Sequence, residues 1–76
     1  MVHAFVMVET AAGSAERLLD SLESVEGVDD AHIVAGNYDI IAEVEATEVY
    51  EILETVSNEF HGLEGVTDTK TYIAMA

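Results

Sequence analysis

The chain has 76 residues, half of them apolar, with sixteen acids against two basic residues, a net charge of −14 and no cysteine. That length allows one small domain and no second, and the missing cysteines exclude disulfides and thiolate metal sites. The charge excludes partners whose affinity rests on Lys and Arg, namely nucleic-acid phosphates and anionic membranes.

The first predicted strand is 2–9, where Val2, Ala4, Val6 and Val8 face one way and His3, Phe5 and Met7 the other. Residues 10–14 form a loop, and Ser14 stands where a helix N-cap belongs. Ala15, Leu18, Leu19, Leu22 and Val25 then recur as one apolar helical stripe. Gly27 suits the stop after that helix, where φ > 0 is often required. Residues 30–35 read as a second strand with Ala31, Ile33 and Ala35 on one face. Gly36-Asn37-Tyr38-Asp39 turns the chain, and 40–45 returns as the third strand, a hairpin pattern. Thr47 is placed to cap a second helix whose stripe is Val49, Ile52, Leu53, Val56 and Phe60, with Gly62 at its end. Residues 66–75 form the fourth strand, dense in β-branched side chains. No proline interrupts any of these elements.

Val25-Glu26-Gly27-Val28-Asp29-Asp30 is echoed half a chain later by Leu63-Glu64-Gly65-Val66-Thr67-Asp68. The order is therefore βαββαβ, an α+β, ferredoxin-like arrangement with an antiparallel four-stranded sheet. Right-handed crossovers place both helices on one face of that sheet. The other face is not fully polar. Phe5 and Met7 oppose Val6 and Val8 in the first strand, and Ile73 and Met75 oppose Tyr72 and Ala74 in the fourth. Exposed apolar area of this kind marks an interface, so the expectation is a two-fold dimer through the open sheet face. Oligomerisation also answers the small size, because a chain this short buries only about 60% of its unfolded surface. The longest apolar run is far short of the roughly 20 residues that span a membrane. No basic segment followed by an apolar signal core opens the chain. The expected location is the cytoplasm.

His3, His32 and His61 lie on three elements without the i, i+4 spacing of a helical zinc motif. They read as surface or interface histidines, and no metal site is expected. Glu43 and Glu45 share a strand face, and Glu48, Glu51 and Glu59 lie on or near a helix. No nucleophile accompanies them, so a solvated acidic face is favoured over acid–base catalysis. The glycines form no phosphate loop, and no cofactor is expected. Lys70, the only lysine, reads as a partner for an acid across the sheet. The Gly36–Asp39 block carries two readings. One is a plain turn, with Asp39 capping it through its own side chain. The other is a ligand cradle: the amides of Gly36, Asn37 and Tyr38 receive a carboxylate and Asp39 holds an ammonium group. Thr69 and Thr71 share a strand face and offer hydroxyls to the same ligand.

At these residues the chain resembles the effector-binding (RAM) domain of the Lrp/AsnC family. The resemblance runs from Ala4-Phe5-Val6-Met7-Val8 through Val25-Glu26-Gly27-Val28 to the hairpin His32-Ile33-Val34-Ala35-Gly36-Asn37-Tyr38-Asp39-Ile40-Ile41-Ala42. It closes on Leu63-Glu64-Gly65-Val66 and Thr69-Lys70-Thr71. It implies a dimer built on the sheets, often assembled into octamers, with an amino acid bound between dimers near the turn. Gly36, Asn37, Tyr38, Asp39, Thr69 and Thr71 match those ligand-binding positions, with Asn37 where the family commonly has Asp. Full-length members join a helix-turn-helix module to this domain, and nothing here precedes the first strand. The expectation is a single stand-alone effector domain over 1–76 that does not bind DNA directly. It would act alone or join full-length relatives as a non-enzymatic, oligomeric amino-acid sensor. The rivals are a ligand-free structural adaptor and a small dimeric ferredoxin-fold enzyme, while an amino-acid-binding ACT domain with the same strand order is a near neighbour of the first reading. Against the enzyme, both helix stripes are wholly apolar and aim no polar group inward.

So acidic and lysine-poor a surface resembles that of proteins from salt-loving organisms. Its cost is self-repulsion, which salt screens. The melting temperature is therefore expected to rise between dilute buffer and molar salt. A melting temperature equal in both would overturn the argument.

Overall fold

In the computed structural model, which describes residues 1–75, the alternation of the first strand becomes the spine of the sheet. β1 (Val2–Thr10) buries Ala4, Val6 and Val8 completely. It turns His3, Phe5 and Met7 to the other face, as a pleated strand must. α1 (Ala15–Glu23) follows and buries Leu18 and Leu22, with Leu19 packed at the margin. Ser14 does occupy the cap position, but its side chain makes no cap hydrogen bond. Its Oγ instead accepts from Arg17 at 3.4 Å. The chain reverses through Gly27, whose φ is +96° and whose Cβ position lies 3.3 Å from the Glu45 carbonyl. Both conditions favour glycine there.

β2 (Val28–Ile33), β3 (Ile40–Ala46), α2 (Val49–Glu54) and β4 (Val66–Ile73) complete the chain, and α2 runs on into a π-helical stretch, Thr55–Phe60. The sheet order is β2-β3-β1-β4 with every pair antiparallel. This is the ferredoxin-like βαββαβ fold that the pattern predicted. One cluster forms the core: Ala4, Val6, Val8, Ala31, Ile40, Ala42 and Val44 from the sheet meet Leu18, Leu22, Ile52, Val56 and Phe60 from the helices.

Several boundaries differ from the expectation. β2 begins and ends two residues earlier, because a register shift between Val28 and Asp30 starts its pairing sooner. Ala35 consequently falls in the β2–β3 loop and is exposed. Thr47 does not cap α2; Glu48 does, its backbone N–H donating to the Glu51 carboxylate at 3.1 Å. Val49 and Leu53 are 44% and 51% exposed. Only Ile52, Val56 and Phe60, four residues apart, reach the sheet, so the buried face of this helix is narrower than its apolar stripe. β4 ends at Ile73, and Met75 lies beyond it in the open.

The face away from the helices carries Phe5 and Tyr72, which are register partners and are 39% and 50% exposed. Met7 and Ile41 pair beside them. Among the described residues Lys70 forms no ion pair with an acid; its Nζ lies 5.8 Å from the centre of the Tyr72 ring, a cation–π contact. Among the described residues, no helix is long and apolar enough to cross a membrane.

At the end of the π-helical stretch, a Cβ on Gly62 would lie 2.5 Å from the Asn58 carbonyl oxygen. Gly62→Ala must displace that backbone and is expected to cost about 1–3 kcal/mol. Urea denaturation in molar salt measures it, and unchanged stability would show that the turn relaxes freely.

Candidate functional site

The loop between β2 and β3, residues 34–39, is closed by main-chain bonds at its base. The Val34 N–H donates to the Asp39 carbonyl at 2.9 Å, and the Asp39 N–H donates to the Val8 carbonyl at 2.9 Å. Asp39 Oδ2 accepts twice from the end of β1, from the Thr10 N–H at 2.8 Å and the Thr10 hydroxyl at 3.2 Å. One carboxylate oxygen therefore clamps the loop to β1. The other, Oδ1, has no hydrogen-bond partner within the described residues. This is not a tight two-residue turn, and Gly36 does not adopt a left-handed backbone.

Beside Asp39 lies an open hollow of about 470 Å³ lined by Thr10, Ala11, Ala12, Gly13, Ala15, Glu16, Ile33 and Asp39. Its apolar wall is Ile33 with the three alanines. Its polar edge is Thr10, Asp39 and Glu16, so two carboxylates and no side-chain cation border it. The first turn of α1 forms one side, where backbone N–H groups have no intrahelical acceptors. The arrangement can hold a small molecule with an ammonium group and a modest apolar side chain.

The structure brings together only part of the predicted set. Asp39 borders the hollow; Tyr38 is half-buried; Gly36 and Asn37 are exposed. Thr69 and Thr71 pair with Val8 and Val6, which places them on the helix side of β4. β1 lies between them and the loop. The Thr69 hydroxyl is bonded instead to His61 Nε2 at 2.7 Å. Within one chain the threonines and the loop share an end of the sheet but not a site. Thr10, Ala11, Gly13, Glu16 and Ile33 were not picked out from the sequence as site residues. Their one local signal is the run of small residues Ala11-Ala12-Gly13, which lets a ligand approach the backbone closely.

Asp39→Ala removes both acceptor contacts to Thr10 and is expected to cost about 1–3 kcal/mol, because the acceptor is charged and partly buried. Thr10→Val removes only the hydroxyl bond and is expected to cost less. Equal stability of wild type and both variants in urea titration would show that the clamp does not hold the loop.

Residues 3–76 match the family model described as the Lrp/AsnC ligand binding domain. Among solved structures, a protein from Thermus thermophilus superposes with a TM-score of 0.95 at 29% identity, over 100% of this chain and 95% of its own. E. coli AsnC superposes with a TM-score of 0.91 at 22% identity, over 99% of this chain but 51% of AsnC. A transcriptional regulator from Neisseria meningitidis, in complex with L-Met, gives a TM-score of 0.87 at 18% identity, over 99% of this chain and 50% of its own. At the last two identities the likeness is one of fold. No curated protein matches the sequence.

Proposed function

The chain belongs to the Lrp/AsnC ligand binding domain family, and from that premise we propose that it is a non-catalytic sensor of an amino acid or similar zwitterion that modulates assemblies of transcription regulators. The observation that carries this reading is Asp39. Its Oδ2 is spent on Thr10, which fixes the carboxylate, its Oδ1 has no hydrogen-bond partner among the described residues, and Asp39 borders the hollow. A fixed carboxylate with a spare oxygen suits an ammonium group. The amides of Gly36, Asn37 and Tyr38 take the ligand's carboxylate, and the wall of Ile33 and alanines takes its side chain. That the Neisseria regulator of the same fold is found in complex with L-Met supports this ligand class.

Thr69 and Thr71 enter from a second subunit in this reading, because their own chain holds them away from its loop. Copies pair through the open sheet face, where Phe5, Tyr72, Met7 and Ile41 lie. Dimers then associate further, up to an octamer, or with longer regulators of the family. A net charge of −14 argues against direct contact with nucleic acid.

Isothermal titration with the common amino acids in molar salt tests the proposal, with light scattering on the same samples. Saturable heat is expected for at least one amino acid from an oligomer of two or more copies. Asp39→Ala should abolish that heat while the molar mass is kept. No heat with any amino acid from folded oligomer would overturn the sensor reading.

A further inference from the structure

We propose that His3, Asp29 and Glu45 form a site for one divalent first-row transition-metal ion on the open face of the sheet. Each offers one donor atom, and the three atoms lie within 4.8 Å of one another. They come from three adjacent strands, β1, β2 and β3, and the pairing register assembles them. His3 and Glu45 are direct cross-strand partners, with His3 Nδ1 at 3.3 Å from Glu45 Oε2. Asp29 arrives through the irregularity in β2. Val28 pairs with Val44 and Asp30 with Glu43, so Asp29 is the extra, unpaired residue of a bulge. A bulge re-aims a side chain in this way and is often found at functional sites. Glu43 stands next to the trio, its Oε1 at 3.9 Å from His3 Nδ1.

The donor set is one imidazole nitrogen and two carboxylates, with a third carboxylate in reach. Such mixed donors suit zinc, manganese or cobalt ahead of magnesium, which prefers oxygen alone. Zinc holds nitrogen and oxygen donors at about 2.0–2.2 Å, which sets tetrahedral donors roughly 3.4 Å apart. Exposed side chains close the present spacing by small rotations, and the coordination keeps a position for water.

Charge strengthens the case beyond a chance gathering of acids. His3 supplies at most one positive charge against the three carboxylates. Of the side-chain cations, Arg17 is held by the Glu64 carbonyl and Ser14 and Lys70 lies over Tyr72, while Met1, with its terminal ammonium, borders the same hollows as His3, Glu43 and Glu45. The site is separate from the effector hollow, although it shares the open face of the sheet with the proposed pairing surface. It lies on the opposite face from the core and five residues along β1 from Val8, about 17 Å from the loop end at the usual strand rise.

The test is calorimetric titration of the intact protein with Zn²⁺ in molar sodium chloride and excess Mg²⁺. One saturable site per chain is expected, weakened at least tenfold by His3→Ala and by Asp29→Asn. Glu23→Gln, an equal charge change on exposed α1, should leave affinity unchanged, and circular dichroism checks that all variants stay folded. Three results would overturn the proposal. They are non-saturating heat, an equal loss in Glu23→Gln, and an affinity that His3→Ala does not alter.

Discussion

β1 lies between β3 and β4 and pairs with both along nearly its whole length, so the remaining elements take their places from it. Both of its faces carry large apolar side chains, yet only one is covered. Ala4, Val6 and Val8 meet the helices and vanish from solvent. Phe5 and Met7, with Tyr72 and Ile41 on the flanking strands, have no helix above them. A central strand that is greasy on both sides in a two-layer fold sets a problem that one chain does not solve. Burial of apolar area is the main driving force for association as well as for folding. The open face and the small core are two consequences of the same strand.

The acidic surface works in the opposite direction. Sixteen carboxylates surround a core of twelve buried side chains, and almost no basic residue offsets them. Repulsion between copies then grows as they approach, and salt or bound cations must relieve it. The carboxylates around His3 lie on the same open face as Phe5 and Tyr72. If copies pair through this face as proposed, any ion held there would reduce the local charge at their contact. Apolar attraction and acidic repulsion are thus set side by side on one surface, and solvent conditions decide their balance.

The fold was legible in the sequence because its signals are local. Period-two alternation marked Ala4, Val6 and Val8, and three-and-four spacing marked Leu18, Leu22, Ile52, Val56 and Phe60, all of which are buried. The site was less legible because its contacts are not local. Asp39 is clamped by Thr10, 29 residues away, so the wall of the hollow belongs to a loop that carries no motif. Asp29 joins His3 and Glu45 only through a bulge that shifts register by one residue, which no spacing rule encodes. Val49 and Leu53 misled for a different reason. They complete an apolar stripe, but only Ile52, Val56 and Phe60 lie on the line of the helix that meets the sheet, and Val49 and Leu53 are left in solvent.

The separation of the loop from Thr69 and Thr71 bears on how the proposed sensor would work. A ligand that touched one chain alone would stabilise that chain without changing how it assembles. A ligand held by Asp39 of one subunit and threonines of another contacts a geometry that exists only in the assembled state. Its binding energy then adds directly to the association energy, and reciprocity requires that assembly tighten the ligand in turn. In the proposed reading no moving part inside the domain is needed. The sheet and its clamp at Asp39 stay rigid, and the switch is the contact between copies. In the same reading that demand falls on a short chain whose own core is small, and a site completed only by a second copy is what would couple a ligand to assembly.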